Sequence, residues 1–447
     1  MDEKFFFSRR GFLRTAGATG GLVALKSIKI DNPLLNVANA AVRNQSIVWA
    51  GISNISTKQS NDLPFLTTIL DDKNKKREIN FRLQDALLKI PQESFEERKL
   101  NLGIQSENED RLADFALVLA AVSEITVLDA TWFDESRGKT IDMKTVRLIC
   151  YAFLFNIETL SMVGSYPVRV FANNAAIDSR NKISLKELYF KLLTSGGEGL
   201  SGENATISSY FTEKLINYPF TEKITGRRCK IEKVVGSDYF NESCKSIGKD
   251  PISIKNFLGH TATMYFGDVF KANTYPFIAE GDAYRRDIAV KIADEDRVLN
   301  LTPENDPNFT IEPSILGWDI TKFDIPGDND KISITIEAPI IVSMFDRFAG
   351  KSELIYEQFL IASVEYGSFK SESLSRDPFS YLALMYERML EACFVSIKDK
   401  NYRKRLIEGI STDDGNLLTY MQLYTETKDE IKAAEQQSER VASLFKI

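Results

Sequence analysis

The sequence predicts an α+β protein built from two similar domains, each a mainly antiparallel sheet with helices packed on one face, plus a helical C-terminal tail. Three observations lead there. The order strand, helix, three strands, helix occurs twice along the chain. Several strands are long and keep a two-residue apolar alternation, as at Ile332, Ile334, Ile336 and Ala338. The composition, 43% hydrophobic and 11% aromatic over 447 residues, is ample for packed cores and excludes a disordered chain. The boundaries drawn on this basis are 1–40 for a leader, 41–222 for the first domain, 223–399 for the second and 400–447 for the extension.

In the first half, Ile47 to Ile55 reads as a strand, and the turn residues Asn61-Asp62-Leu63-Pro64 follow it. A helix runs from about Ile79 to Ile90, with Ile79, Leu83, Ala86, Leu87 and Ile90 on one face and Pro91 marking its end. Three strands come next: Phe115 to Leu128, Thr145 to Ile157, and Met162 to Phe171, the last carrying Pro167, which belongs at an edge or a bulge. The half closes on a helix opened by the capping box Ser184-Leu185-Lys186-Glu187, with Leu185, Leu188 and Leu192 as its buried stripe.

The second half repeats the order. Cys229 to Val235 is a strand, and Asp250-Pro251 supplies the N-cap and first-turn proline of a helix through Ile254, Phe257, Leu258, Thr261 and Tyr265. After an additional strand near Ala289 to Ile292, three strands return: Phe309 to Phe323, Ile332 to Val342, and Leu354 to Tyr366. Asp377-Pro378 then starts a helix presenting Phe379, Leu382, Tyr386 and Met389 on one face. From Lys428 to Phe445 the tail is helical, its Ile431, Ala434, Val441 and Phe445 set to pack on the body or on another subunit.

The N-terminus carries Ser8-Arg9-Arg10-Gly11-Phe12-Leu13-Arg14, then the weakly apolar run Ala16 to Leu25 and the A-x-A site Ala38-Asn39-Ala40. Paired Arg9 and Arg10 followed by Phe12 and Leu13 resemble the bacterial twin-arginine export signal. The resemblance implies cleavage after Ala40 and a protein that works in the periplasm or outside the cell. No later stretch reaches the roughly 18 uninterrupted apolar residues of a spanning helix.

Formal net charge is −7, and loss of the leader removes six basic and three acidic residues, leaving the remainder more acidic. That balance argues against a nucleic-acid surface and against docking on anionic lipid through a basic patch. Of the four cysteines, Cys229 and Cys244 lie close together in polar surroundings and form the candidate disulfide of an oxidising compartment, worth about 3 kcal/mol in the loop-entropy model. Cys150 and Cys393 sit in apolar patterns as buried thiols.

No catalytic, cofactor or metal motif stands out. The one histidine, His260, lies in the predicted helix beside Gly259, with Phe257 and Met264 at helical spacing, and reads as a partly buried helix residue in preference to a general base. Gly197-Glu198-Gly199-Leu200-Ser201-Gly202 matches the dinucleotide fingerprint as text, but it follows a helix and carries an acid where phosphate would sit. The acidic turns Asp71-Asp72-Lys73-Asn74 and Gly327-Asp328-Asn329-Asp330 lack the glycine and closing glutamate of a calcium loop. Trp132-Phe133 and Tyr275-Pro276-Phe277 place aromatics in loops, tucked on the sheets or exposed to a protein or glycan partner.

The element order, with Ala113-Asp114-Phe115 leading into a long strand, is similar to small bacterial envelope domains such as the periplasmic domain of the curli secretion channel and the amino-terminal domain of TolB, over residues 44 to 195. Together with the absence of site motifs, the resemblance points to a non-enzymatic envelope protein that acts in binding, assembly or scaffolding, and no cofactor is expected. The alternative is an enzyme or cofactor-binding protein sent through the twin-arginine route because it folds around its cofactor before export.

Overall fold

The computed structural model describes residues 45–55, 63–90, 100–101, 115–134, 138–178, 180, 182–194, 200–201, 207, 211, 228–270, 272–277, 288–291, 298–303, 306–327, 331–348, 351–369, 378–413 and 417–445. The leader, with Arg9, Arg10, Phe12, Leu13, Ala38 and Ala40, lies outside the described residues. In the first half the elements are β1 (Gln45–Ile55), α1 (Pro64–Asp71), α2 (Lys73–Leu88), β2 (Leu100–Asn101), β3 (Phe115–Asp134), β4 (Lys139–Asn156), β5 (Ser161–Ile177), α3 (Leu185–Thr194) and β6 (Leu200–Ser201). The second half holds β7 (Arg228–Ile231), β8 (Val235–Gly236), α4 (Asp238–Ser246), α5 (Pro251–Phe270), β9 (Asn273–Tyr275), β10 (Ile288–Lys291), β11 (Val298–Pro303), β12 (Phe309–Ile315), β13 (Asp319–Asp324), β14 (Lys331–Phe348), β15 (Lys351–Phe369) and α6 (Pro378–Lys398). The C-terminal segment adds α7 (Lys400–Glu408), β16 (Ile410–Asp413), β17 (Leu417–Leu423) and α8 (Lys428–Leu444).

The two sheets share one topology. In the first, β2-β1-β3-β4-β5 are neighbours in that order; in the second, β9-β7-β12-β14-β15. In each, the first strand runs parallel to the opening strand of an antiparallel three-strand meander, and two helices and a short parallel strand are threaded between them. The repeat read from the sequence is therefore a repeat of hydrogen-bonded order, and it extends to the paired helices α1–α2 and α4–α5.

Alternation decides which face each strand buries. Along β3, Leu117, Leu119 and Ala121 join a core with Leu66, Ile69, Ile79, Leu83, Leu188 and Leu192 of α1, α2 and α3. Ala116, Val118 and Ala120 point the other way, into a core with α5, α6 and the inner face of the second sheet. The molecule is thus a four-layer stack: helices, first sheet, helices, second sheet. Helix α5 has apolar and small residues all round and is buried on every side, as a middle layer must be.

Three prolines show how strand positions follow from missing donors. Pro167 on β5 falls between the segment paired with β11 (Ser161, Met162) and that paired with β6 (Asn173, Asn174). Pro339 on β14 falls between the segments paired with β13 and β12, and Pro313 on β12 between those paired with β7 and β8. Each proline sits where its strand passes from one neighbour to the next along that edge, the place where a missing donor costs the ladder least.

Several expectations are corrected. The strand Phe309 to Phe323 is two strands, β12 and β13, broken at 316–318, where Gly317 takes φ +116°. Helix α4 is an addition, capped by Ser237, whose Oγ accepts from Phe240 N. The C-terminal segment is helical at both ends but carries the β16–β17 hairpin, which extends the second sheet beyond β15. Strands β10 and β11, although in the 223–399 stretch, hydrogen-bond to β1 and β5, so the first sheet's strand order closes on itself and its edges are covered. Trp132 and Phe133 continue β3, paired with Ile141 and Thr140, because the β3–β4 hairpin extends past the expected strand end. The tail helix packs on the body: Ala434, Ser438 and Val441 of α8 are buried, and Thr427 and Glu430 form its capping box.

Candidate functional site

Three charged constellations are held inside the stack. The largest joins the halves. Arg147 on β4 and Arg169 on β5 lie on the sheet face turned to α6, where both meet Glu387, itself 3% exposed. Arg169 Nη1 sits 3.3 Å from Glu387 Oε2 and donates to Tyr265 Oη at 2.9 Å, its guanidinium 5.2 Å from the Tyr265 ring. Glu391, whose pKa burial raises, adds a second carboxylate to the field around Arg169, and burial pushes the Tyr265 hydroxyl far up. Arg147 and Arg169 come from the first sheet and Glu387 from α6, so the set reads as a tie between layers.

The second surrounds Asp142 on β4. Burial pushes its pKa up, but Lys144, Lys182 and Thr131 outweigh that and hold it at about 2. Lys182 Nζ is 2.7 Å away, Thr131 Oγ1 donates at 2.9 Å, and Lys144 reaches both Asp142 and, at 3.5 Å, Asp129.

The third is Glu124 on β3, whose two carboxylate oxygens accept Phe65 N at 3.0 Å and Leu66 N, the first main-chain donors of α1. Desolvation pushes its pKa to about 7 against those two hydrogen bonds. A folded value above the unfolded 4.5 places the linked stability on the acid side. It is complete below about pH 4.5 and lost as pH rises through about 7, where the desolvated carboxyl ionises. Urea unfolding of wild type against Glu124→Gln should show a stability difference that shifts against wild type across that window; a difference independent of pH would refute the assignment.

His260 lies among rings, Phe277 at 5.5 Å and Tyr151 at 6.1 Å, and burial lowers its pKa to about 3. Its neighbour Gly259 is a close approach: a Cβ there would lie 2.5 Å from the Phe277 ring. The histidine is neutral and buried, deeper in the core than the partly buried helix position expected of it. Tyr275 and Phe277 are likewise buried, which matches the tucked-in alternative for that segment.

The expected pair Cys229 and Cys244 is not joined: all four cysteines are free and buried. Cys229 sits inside β7, between the β12 and β9 ladders, and Cys244 lies on α4 within the same apolar core, so both thiols behave as small hydrophobes. Burial raises both thiol pKa values, against thiolate chemistry. Asp72 is the N-cap of α2, accepting from Asn74 N at 3.1 Å and Lys75 N at 3.3 Å. The glycine-rich 197–202 stretch, apart from Leu200 and Ser201 in β6, and residues 328–330 lie outside the described residues. Among the described residues, no group of three or more His, Cys, Asp or Glu side chains could hold a metal ion, and no helix is long and apolar enough to cross a membrane.

No family model matches the chain, and no curated protein is similar to it. Among solved structures, the hypothetical protein CT253 from Chlamydia trachomatis aligns over 38% of this chain and 94% of its own, with 14% identity and a TM-score of 0.23. A likeness at that level shows neither a shared fold nor a function.

The features that stand out on the surface are at the two ends of the stack. On α2, Ile79, Leu83 and Leu87 face the core while Phe81 (68% exposed) and Leu88 (58% exposed) point outward, one behind the other at i and i+7. Residues 73–89 hold six basic side chains against two acidic ones, with Lys73, Arg77, Arg82 and Lys89 exposed. At the other end, the outer face of the second sheet carries Pro339, Ile341, Phe359 and Ile361, all half-buried, with Glu312, Glu337, Glu357 and Glu365 around them. Sequence reasoning missed both. The signal for the first was there: two large apolar residues seven apart, off the buried stripe, beside a Lys/Arg run.

Proposed function

We propose that this chain is a non-enzymatic cell-envelope protein that binds or assembles other proteins after folded export by the twin-arginine route. The observation that most supports this reading is the outward apolar pair Phe81 and Leu88 on a basic helix already anchored by its opposite face. Large apolar side chains exposed on a rigid element, rimmed by charge, are what a partner surface needs. The interior charges are spent on holding layers and a helix end together. The test is capture of envelope proteins by the exported chain, with elemental analysis and an absorbance spectrum of the same sample. A stoichiometric envelope partner and a colourless, metal-free protein are expected; a bound metal or chromophore would overturn the reading in favour of a cofactor protein.

A further inference from the structure

We infer that copies of this chain associate head to tail, the α1–α3 layer of one stacking on the outer face of the second sheet of the next. The inference rests on the assembly reading and names the partner as a second copy.

The argument begins with the internal junction. The second module's helices α5 and α6 are covered by a sheet, that of the first module, through Ile149, Tyr151, Phe153 and their neighbours. The first module's helices occupy the same place in the same topology, and among the described residues no sheet lies over their outer side. Stacking helix layer on sheet face is therefore a contact this fold already makes once. Repeating it needs a sheet face with an apolar centre, and the far side of the second sheet has one: Pro339 opposite Ile361 and Ile341 opposite Phe359.

Charge selects the pairing. The helix end is basic through Lys73, Arg77, Arg82 and Lys89; the sheet end is ringed by Glu312, Glu337, Glu357 and Glu365. Some of these are partly engaged: Arg82 with Glu78 at 3.3 Å, Lys89 with Asp85 at 2.6 Å, and Glu312 with Lys233 at 3.4 Å. Such exposed pairs are weak and leave the field of each face largely intact. Like faces repel and unlike faces attract, so a two-fold dimer is disfavoured and a heterologous contact is favoured. The internal junction has the opposite polarity, with arginines on the sheet and Glu387 on the helix, so the two contacts do not compete for each other's surfaces.

The test is sedimentation velocity of the full chain from about 1 to 100 µM, at about 0.05 and 0.5 M salt. Wild type should form dimers and larger species that weaken in high salt. A helix-face variant (Phe81→Glu with Leu88→Glu) and a sheet-face variant (Glu337→Lys with Glu365→Lys) should each weaken self-association at least tenfold. All four positions are exposed, and unchanged circular dichroism would show that the fold is kept; Arg77→Glu with Arg82→Glu is a second helix-face variant. Mixed together, the two variants should form a one-to-one dimer that grows no further, because each retains one intact face. A wild type that stays monomeric throughout, or variants that fail to pair when mixed, would overturn the inference. A monomer that still captures an envelope protein would overturn self-association and leave the assembly reading standing.

Discussion

Replacing Glu387 with alanine should cost about 3–5 kcal/mol of folding stability, measured by urea unfolding at neutral pH. The residue is 3% exposed and is the carboxylate on which Arg147 and Arg169 converge. Its loss removes the carboxylate that Arg147 and Arg169 share in a poorly solvated seam. The size of the effect comes from the uncompensated charges left behind more than from the worth of the pair itself. Glu387→Gln keeps an acceptor of the same shape and should lose less. Arg147→Met, Arg169→Met and Glu387→Met combined should recover most of the loss, because removing all three charges removes the desolvation penalty with them. A loss under about 1 kcal/mol for Glu387→Ala would mean that water reaches the seam and screens it.

Much of the architecture was legible in the sequence where a period or a cap announced it. The alternation through Ile332, Ile334, Ile336 and Ala338 is the core face of β14, and Asp250-Pro251 opens α5, with Ser253 N donating to Asp250 Oδ2 at 3.0 Å. Ser184 caps α3 as expected, accepting Glu187 N at 3.1 Å. Periodicity could not show what depends on a distant partner. Strands β10 and β11 have only 4 and 6 residues and carry no sign that they belong to the other sheet. Gly317 inside an apolar run was the cue that β12 ends there, because φ +116° suits glycine. The ionic seam was legible only as a question: Arg147 lies between Val146 and Leu148, and an arginine on the buried face of a long apolar strand demands an acceptor. The residue that answers, Glu387, is 240 positions away on a helix whose other residues, read for their stripe, gave no reason to single it out.

The second large effect should come from Phe266→Ala, at about 3–5 kcal/mol, because a buried phenyl ring is lost from a packed aromatic cluster. Phe266 is fully buried on α5, with ring centroids of Phe270 at 4.6 Å, Phe445 at 5.2 Å and Phe394 at 5.4 Å. Phe445 in turn meets Phe270 and Phe309, both at 5.0 Å. The cluster therefore ties three elements, α5, α6 and β12, to the C-terminal cap of α8. Emptying its centre leaves a cavity whose walls belong to different layers and cannot close independently. Two readouts separate this account from a generic core defect. The unfolding free energy should fall by the stated amount, and amide exchange along α8 should accelerate more than in α1 or α2, which pack in the other core. Equal acceleration in both cores would show that Phe445 adds nothing to the docking of the tail helix.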